Sequence, residues 1–315
     1  MIIGQSFLLS SGAGIGAFVA LGNSSTALYS PNNGQLWNST SIQLSEAWQN
    51  LAYGNKIFLA IGNQVAAYST NFGQSWTIIN IPAFGTLSYR SIVYGSGIFL
   101  ALIEPQSTST NSNYTYSSDN GKTWSSFYSG PVIQNLSFGG GVFLGFTYPY
   151  GTTINYSNDG QNWTSATVST NTYSWKYAAY TSGVFVALPS TFYNGSAFVA
   201  TNAVAYSADL GKTWTQTTLP SSQVWTGIAA SGGAFVALAA SSAAVAVYST
   251  DLGKTWTQVS LPAGTYSSIA YGAGVFIVVG NGVYAVSKDN GATWTAGTLP
   301  GSFNALVIAS NFPPA

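Results

Sequence analysis

A short phrase that recurs along the chain constrains the fold more than any other feature of the sequence. It reads YSTDLGKTW at residues 248–256, and six further copies keep its order of Ser, Asp or Asn, Gly and Trp. The copies lie at residues 29–37, 68–76, 116–124, 156–163, 206–214, 248–256 and 286–294. Their glycines are 39, 48, 39, 51, 42 and 38 residues apart. A period near 40 predicts one supersecondary unit repeated seven times.

Each repeat divides into four short segments that are typical of β-strands. The last repeat contains SSIAYG, VFIVVG, VYAVS and TWTAGTL, which are Val, Ile, Ala and aromatic runs bounded by Gly or Asn. No segment keeps a 3.6-residue period, so almost no helix is expected. The sequence therefore predicts an all-β fold, a seven-bladed β-propeller with four-stranded blades in a single domain, 1–315. The predicted blades are 1–43, 44–83, 84–130, 131–170, 171–220, 221–262 and 263–300, with 301–315 as an extra C-terminal strand.

The two ends of the chain supply one innermost strand too many. SFLLSSG at residues 6–12 and FNALVIAS at residues 303–310 both look like the first strand of a blade. Three arrangements are open: one strand is surplus, the C-terminal strand completes blade one in place of the N-terminal strand, or one strand is donated to a neighbouring subunit.

The recurring phrase S-x-D-x-G-x-T-W resembles the Asp-box of the BNR, or sialidase-like, propellers, and the chain as a whole is similar to propellers of viral tail and surface proteins. The resemblance implies that each box joins the third and fourth strands of a blade. Its Asp would bond to the turn, its Gly would adopt a positive φ, and its Trp would be buried. A structural role is therefore expected for Asp119, Asp159, Asp209, Asp251, Asp289, Trp37, Trp76, Trp124, Trp163, Trp214, Trp256 and Trp294. Two boxes carry Asn32 and Asn71 in place of Asp.

The scarcity of charge excludes several classes of function. Charged residues make up 4% of the chain, seven basic and seven acidic, and there is no His or Cys. Nucleic acid is not an expected partner, since phosphate neutralisation needs clustered Lys and Arg. No disulfide, metal site, cofactor or His- or Cys-based nucleophile is expected. The uncharged stretch 227–249 is in register with the other repeats, so two short strands are predicted there and no membrane insertion; the N-terminus does not read as a signal peptide.

Few residues are available for catalysis. All five Asp lie in boxes, and the charges outside boxes are Glu46, Lys56, Arg90, Glu104 and Lys176. The sialidases use an arginine triad and an acid aspartate, whereas Arg90 is the only arginine here. We therefore expect that the protein is not an enzyme and has no catalytic residues. The alternative is a glycoside hydrolase that uses Glu46 and Glu104 as its pair of carboxyl groups.

Two sets of aromatic residues are candidates for ligand binding. The first set recurs at the start of the innermost strands, where it can stack on sugars or pack between blades; it consists of Trp48, Tyr89, Trp175, Trp225 and Tyr266, with Arg90 beside Tyr89. The second set lies in long connections between the second and third strands of blades four and five; it consists of Tyr148, Tyr150, Phe192 and Tyr193. A third long connection, 104–114, belongs to blade three. Loops on a rigid scaffold commonly carry function.

These observations favour a non-enzymatic structural or adhesion propeller on a virus particle or another extracellular surface. It is expected to bind glycans or a partner protein, on a host or on the particle, with other virion proteins as further partners. The resemblance to sialidase-like propellers implies that the binding face is the face opposite the boxes. A secreted lectin is the second alternative. Four Asn-x-Ser/Thr sequons are candidates for glycosylation: Asn23, Asn38, Asn113 and Asn194.

Overall fold

The repeats fold as seven antiparallel sheets arranged around one axis, as the sequence predicts. The structure is a computed structural model that describes residues 17–83, 87–103, 113–128, 130–240, 244–305 and 307–311. Each sheet has four strands in sequence order from the axis outward, except that blade one begins with the last strand of the chain, and blade five carries a fifth, two-residue strand. The one helical element among these residues is a three-residue 3-10 turn at Pro300–Ser302. The fold is a seven-bladed β-propeller.

The strands of the first four blades have the following bounds. Blade one contains β1 (Phe18–Leu21), β2 (Asn23–Ser30) and β3 (Asn38–Ala47); blade two contains β4 (Asn50–Gly54), β5 (Ile57–Ile61), β6 (Val65–Ser69) and β7 (Thr77–Asn80). Blade three contains β8 (Tyr89–Gly95), β9 (Ile98–Ile103), β10 (Asn113–Ser117) and β11 (Ser125–Tyr128). Blade four contains β12 (Ile133–Gly139), β13 (Val142–Thr147), β14 (Thr153–Ser157) and β15 (Thr164–Thr167).

The remaining strands complete the ring. Blade five contains β16 (Tyr173–Thr181), β17 (Val184–Tyr193), β18 (Phe198–Val199), β19 (Thr201–Ser207) and β20 (Thr215–Gln223). Blade six contains β21 (Trp225–Ser231), β22 (Ala234–Ala239), β23 (Val245–Ser249) and β24 (Thr257–Ser260). Blade seven contains β25 (Tyr266–Gly272), β26 (Val275–Gly280), β27 (Val283–Ser287) and β28 (Thr295–Thr298), and β29 (Val307–Ser310) follows it.

The C-terminal strand closes the ring. β29 pairs antiparallel with β1, from Phe18 opposite Ser310 to Leu21 opposite Val307, and so becomes the innermost strand of blade one. On either side it contacts β25 of blade seven and β4 of blade two. Of the three arrangements left open by the sequence, the structure shows the one in which the C-terminal strand completes blade one. The N-terminal candidate, residues 6–12, lies outside the described residues.

Two outer strands are longer than the sequence pattern suggests. β3 has 10 residues and β20 has 9, whereas the outer strands of the other blades have 4. β3 pairs with β2, and the register of this pair shifts between Ser24 and Thr26 of β2. β20 pairs with β19, and the register of this pair shifts between Thr201 and Ala203 of β19. In both blades the outer strand continues to pair beyond the shift. Blades one and five therefore extend beyond the predicted ends at 43 and 220, because a bulge lets the ladder resume.

The hydrophobic cores lie between adjacent blades. One such core joins Val186 and Leu188 of blade five to Trp225, Phe235 and Val247 of blade six, all of them buried. Polar side chains on the innermost strands add hydrogen bonds between blades: Asn135 Nδ2 donates to the Lys176 carbonyl (2.8 Å) and Ser137 Oγ to the Ala178 carbonyl (3.1 Å). These bonds explain polar residues in strands that face the axis, since a buried polar group needs a partner.

Each box is a hydrogen-bonded turn. In the box of blade six, Ser249 Oγ donates to Asp251 Oδ1 (2.8 Å) and accepts the Gly253 N–H (2.9 Å). Asp251 also accepts the N–H (2.9 Å) and the hydroxyl (2.6 Å) of Thr255. Trp256 Nε1 donates to the Gly253 carbonyl (3.0 Å). The carboxylate oxygens are thus occupied by the turn itself.

The box glycine also locks one blade to the next. Gly253 has φ +83, and a Cβ built on it would lie 2.4 Å from Val186 Cγ2 on β17 of the preceding blade. Every box repeats this close approach to the second strand of the blade before it. The glycines and the side chains that they meet are Gly34 and Ile277, Gly73 and Val19, Gly121 and Leu59, Gly160 and Leu100, Gly211 and Leu144, Gly253 and Val186, Gly291 and Val236. Glycine is required for the conformation and for the space.

Candidate binding face

The antiparallel blades give the propeller two different faces. The boxes and the turns between the first and second strands lie on one face, which we call the box face; Lys56 lies in one of these turns. The connections between the second and third strands, and those between blades, lie on the opposite face, which we call the loop face. Glu46 and Arg90 lie next to strand ends on the loop face, and Lys176 lies in the half of β16 nearer that face.

The first set of predicted ligand-binding aromatics is buried between blades. Trp48, Tyr89, Trp175, Trp225 and Tyr266 each expose 3% or less of their surface. Of the two roles that the sequence leaves open for them, the structure shows packing between blades, because a buried ring cannot present its face to a ligand in solvent. Arg90 is half-buried and lines the axial channel.

Hydrogen bonds to backbone carbonyls anchor four of these five rings. Trp48 Nε1 donates to the Ser24 carbonyl (3.2 Å) and Trp225 Nε1 to the Thr201 carbonyl (2.8 Å), each in the preceding blade. The tyrosines at the same position use a proline carbonyl instead, Pro82 for Tyr89 (2.7 Å) and Pro262 for Tyr266 (3.1 Å). The fifth ring, Trp175, has a buried Nε1 with no hydrogen-bond partner among the described residues.

The second set of aromatics comes together on the loop face. Tyr150 of blade four stacks on Tyr193 of blade five, with ring centroids 5.0 Å apart and planes 12° apart. Phe198 packs against both, at 5.4 Å from Tyr150 and 5.2 Å from Tyr193. Phe198 is 48% exposed and Val199 is 37% exposed. We call the surface formed by Tyr150, Phe192, Tyr193, Phe198 and Val199 the aromatic ridge.

A β-ribbon supports the aromatic ridge. β17 runs on past the end of its pairing with β19 and pairs instead with β18, with Phe192 opposite Val199 and Tyr193 opposite Phe198. On the other side, Tyr173 of β16 lies opposite Phe192, and their rings are 5.2 Å apart. The ridge therefore stands on three strands and is not an irregular loop.

Buried polar contacts hold the connection of blade four beneath the ridge. Gln134 Nε2 donates to the carbonyls of Trp175 (2.9 Å) and Pro149 (3.3 Å), and Ser174 Oγ also donates to the Pro149 carbonyl (3.2 Å). Gly151 forms an isolated bridge with Tyr173. These bonds fix the neighbour of Pro149, Tyr150, against blade five. The fourth predicted residue of this set, Tyr148, is half-buried in the same connection.

The aromatic ridge is uncharged. No Asp, Glu, Lys or Arg occurs in residues 123–158 or in residues 177–208, the segments that supply it. Sequence reasoning identified Tyr150, Phe192 and Tyr193 but missed Phe198 and Val199. The run AFVA at 197–200 was the available signal, since a short apolar strand pattern within a polar connection indicates a paired segment.

The axial channel is a separate feature, with a volume of about 750 Å³. Arg90 and Lys176 line it near the loop face. Burial, and then the charge of Arg90, lowers the pKa of Lys176. Burial also raises the pKa of Tyr177 to about 12, although Arg90 opposes this shift. Neither cation belongs to the aromatic ridge.

Of the alternative catalytic pair, Glu46 and Glu104, only Glu46 lies within the described residues. Glu46 Oε1 accepts hydrogen bonds from Asn63 Nδ2 (2.8 Å) and from the Ala47 N–H (3.0 Å). The bond from Asn63 ties blade one to blade two, which is a structural role. Glu104 lies outside the described residues. Among the residues that are described, no group of three or more His, Cys, Asp or Glu is placed to hold a metal ion.

The sequons differ in their exposure. Asn23 and Asn194 are exposed, and Asn38 and Asn113 are partly exposed. Asn194 lies at the tip of the β17–β18 ribbon, where its Oδ1 accepts the N–H groups of Ser196 (3.0 Å) and Ala197 (2.9 Å). In the described part of the chain, no helix has the length and hydrophobicity that a membrane span requires.

Comparisons with known proteins support the repeat and the fold. A family model described as BNR/Asp-box repeat matches residues 247–258, which is one box. No curated protein matches the chain. A solved structure titled "YCF48 bound to D1 peptide" is 13% identical, covers 82% of this chain and 83% of its own, and superposes with a TM-score of 0.61. YCF48 from Cyanidioschyzon merolae is 14% identical, covers 80% and 85%, and gives a TM-score of 0.56. At this identity the likeness shows a shared fold.

Proposed function

We propose that this chain is a non-enzymatic structural or adhesion propeller on a virus particle or another extracellular surface, and that it binds a partner protein through the aromatic ridge. The observation that carries the proposal is the stacked cluster of Tyr150, Tyr193 and Phe198 on the loop face. Solvent-exposed aromatic groups on a rigid support are typical anchors of protein interfaces. They lose little conformational entropy on binding.

Two further observations favour a protein partner. The exposed side chains at the crest, Phe198 and Val199, have no polar atoms with which to select a sugar. A propeller with a similar fold has been solved with a peptide bound, so this architecture is compatible with peptide recognition. The flat, adjacent rings of Tyr150 and Tyr193 support a second candidate, glycan binding by stacking.

The absence of a free aspartate supports a role without catalysis. All five aspartates lie in boxes, and the oxygens of each carboxylate accept hydrogen bonds from its own turn. General acid–base chemistry needs a titratable group that can reach a substrate. A binding role needs none.

Selection of ligands on the full-length protein tests the proposal. A phage-displayed library of random peptides and a glycan array are each applied to the wild type, to Phe198→Ser and to Lys56→Ser. Phe198→Ser removes an exposed ridge side chain, whereas Lys56→Ser alters an exposed residue on the box face. We expect selected peptides to bind the wild type and Lys56→Ser equally and to lose binding to Phe198→Ser.

The other outcomes separate the candidates. Glycan binding that Phe198→Ser abolishes would establish the second candidate in place of the first. Ligands that bind all three proteins equally, or hydrolysis of any arrayed glycan, would contradict the proposal. Immunogold labelling of purified particles or cells from the source tests the location, and labelling confined to the cell interior would contradict it.

A further inference from the structure

The backbone of β18 has one edge that no described strand covers. β18 pairs with β17 and lies off the main path of the blade-five sheet. A strand edge presents unpaired N–H and C=O groups and is a template for another strand. Natural propellers expose such edges on their outermost strands, but this edge lies on the loop face and forms part of the aromatic ridge.

The hydrogen-bond pattern shows which backbone groups face the open edge. The Tyr193 N–H donates towards β16, to the Thr172 carbonyl (3.2 Å), and the next N–H, that of Asn194, donates to the Ala197 carbonyl (3.1 Å). Tyr193 and Phe198 are therefore the pair without mutual hydrogen bonds in this ladder. It follows that the N–H and C=O of Phe198 point away from β17, into the open edge.

Apolar side chains flank this edge on both faces of the ribbon. Successive residues of a strand point to opposite faces. Phe198 lies on one face with Tyr193 and Tyr150, and Val199 lies on the other face opposite Phe192. A segment added beside β18 would meet apolar surface with each of its alternating side chains.

The absence of charge around the edge restricts the occupant. The nearest charged residues along the chain are Lys176 and Asp209 for blade five, and Lys122 and Asp159 for blade four. A charged segment would lose its hydration here without gaining a partner. An uncharged segment with apolar residues matches the edge.

We propose that the β18 edge binds an extended, uncharged peptide segment of the partner by strand addition, an inference that rests on the proposed function. Main-chain hydrogen bonds to Phe198 would supply affinity, and alternating apolar side chains would contact the two faces of the ribbon. The ligand would be an extended segment, and a preformed helix would not fit this mode.

The test uses backbone N-methylation of a selected peptide. The strongest binder from a random peptide library, selected on the full-length protein, is synthesised with a single N-methyl group at each position in turn. An added strand directs every second N–H towards its neighbour. Because Phe198 offers the one outward carbonyl of this two-residue strand, we expect a loss of affinity of about fivefold or more at the one peptide position whose N–H donates to it, and little effect at the positions on either side.

Matched variants make each outcome decisive. Loss of binding to Phe198→Ser, together with an N-methyl effect at one peptide position and none at the positions beside it, supports strand addition. Dependence on Phe198 with a uniform scan, or with a period of three to four residues, overturns strand addition but leaves the proposed function standing. Peptides that bind Phe198→Ser as well as the wild type, or failure to select any peptide, overturn both strand addition and the proposed function. Dimerisation of the free protein that Phe198→Ser abolishes would show that a second copy occupies the edge, which also overturns the proposal.

Discussion

At the scale of the residue, the boxes are explained by the needs of one tight turn repeated seven times. In six of the boxes two residues in succession adopt positive φ, for example Leu252 (φ 64) and Gly253 (φ 83), whereas the shortened box of blade four has only Gly160 (φ 73). The first of these positions accepts Asn, Phe or Leu, whereas the second is always glycine. The sequence showed that each box has a glycine and that the turn needs a positive φ there. It could not show that a side chain at this position would also overlap the preceding blade, because that contact is non-local.

Replacing a box glycine should therefore cost more than its backbone strain. Gly253→Ala is expected to destabilise the protein by about 2–4 kcal/mol, from the left-handed conformation and from overlap with Val186. Gly274→Ala is the matched control, since Gly274 has φ +82 but a Cβ added to it would have no atom within 4 Å. It should cost about 1–2 kcal/mol. Equal losses in denaturant unfolding would show that the contact between blades contributes nothing.

The carboxylates of the boxes predict how stability depends on pH. The pKa of Asp251 is lowered to about 2 from its ordinary 3.8: partial burial raises it, but hydrogen bonds from Thr255, Ser249 and Lys254 outweigh this. Its pKa is thus lower in the folded than in the unfolded chain. The stabilisation is complete above the unfolded value and is lost as the pH falls from about 4 to 2. The melting temperature should stay level from pH 7 to 5 and fall below 4.

A variant with all five box aspartates changed to asparagine provides the control. Asn71 already occupies one box, where its Nδ2 donates to Ser75 Oγ (2.9 Å) and its Oδ1 accepts the Ser75 N–H (3.0 Å). The variant should fold and lose much of the acid-dependent fall in melting temperature. A steep fall between pH 7 and 5 in the wild type would contradict the account.

The aromatic residues show where reasoning from one sequence stops. Trp48 and Tyr89 recur at one place in the repeat, and a recurring aromatic is compatible with a ring of ligand contacts and with packing between blades. Which of these two roles is correct depends on how closely the neighbouring blade approaches the ring. The spacing of residues along the chain does not give that distance. Tyr150 and Tyr193 were found because their connections break the repeat.

At the scale of the element, the strand order of each blade follows from the sequence, but strand ends do not. The alternating pattern and the glycine turns predict four strands per repeat. The extensions of β3 and β20 and the added β18 depend on bulges and on pairing partners across the sheet. A local pattern cannot reveal a ladder that resumes after an irregularity.

The closing strand gives a prediction at this scale. Deletion of residues 307–315 removes β29, leaves the inner edge of β1 unpaired and uncovers Phe18. We expect a loss of at least about 3 kcal/mol of stability, or failure to fold, since burial of Ile308 and the hydrogen bonds of the ladder are lost.

Deletion of residues 312–315 alone is the control for this experiment. It keeps β29 and the hydrogen bonds between Asn311 and Ala17. Its melting temperature should match that of the full chain. A stable 307–315 deletion would mean that another segment can supply the innermost strand of blade one.

At the scale of the whole molecule, the two faces of the propeller differ in chemical character. The boxes lock the blades and use their polar groups internally, so the box face is built for stability. The loop face carries the aromatic ridge, which is apolar, uncharged and raised on a ribbon. The number of blades was evident from the count of boxes, whereas the ridge required two connections from different blades to meet in space.

Hydrogen exchange of the full-length protein, with and without a saturating peptide selected on it, tests this division most directly. The account predicts slower exchange in residues 148–153 and 190–200 when the peptide is bound, and unchanged exchange in the seven box turns. Protection that appears in the box turns, with none at the aromatic ridge, would contradict it.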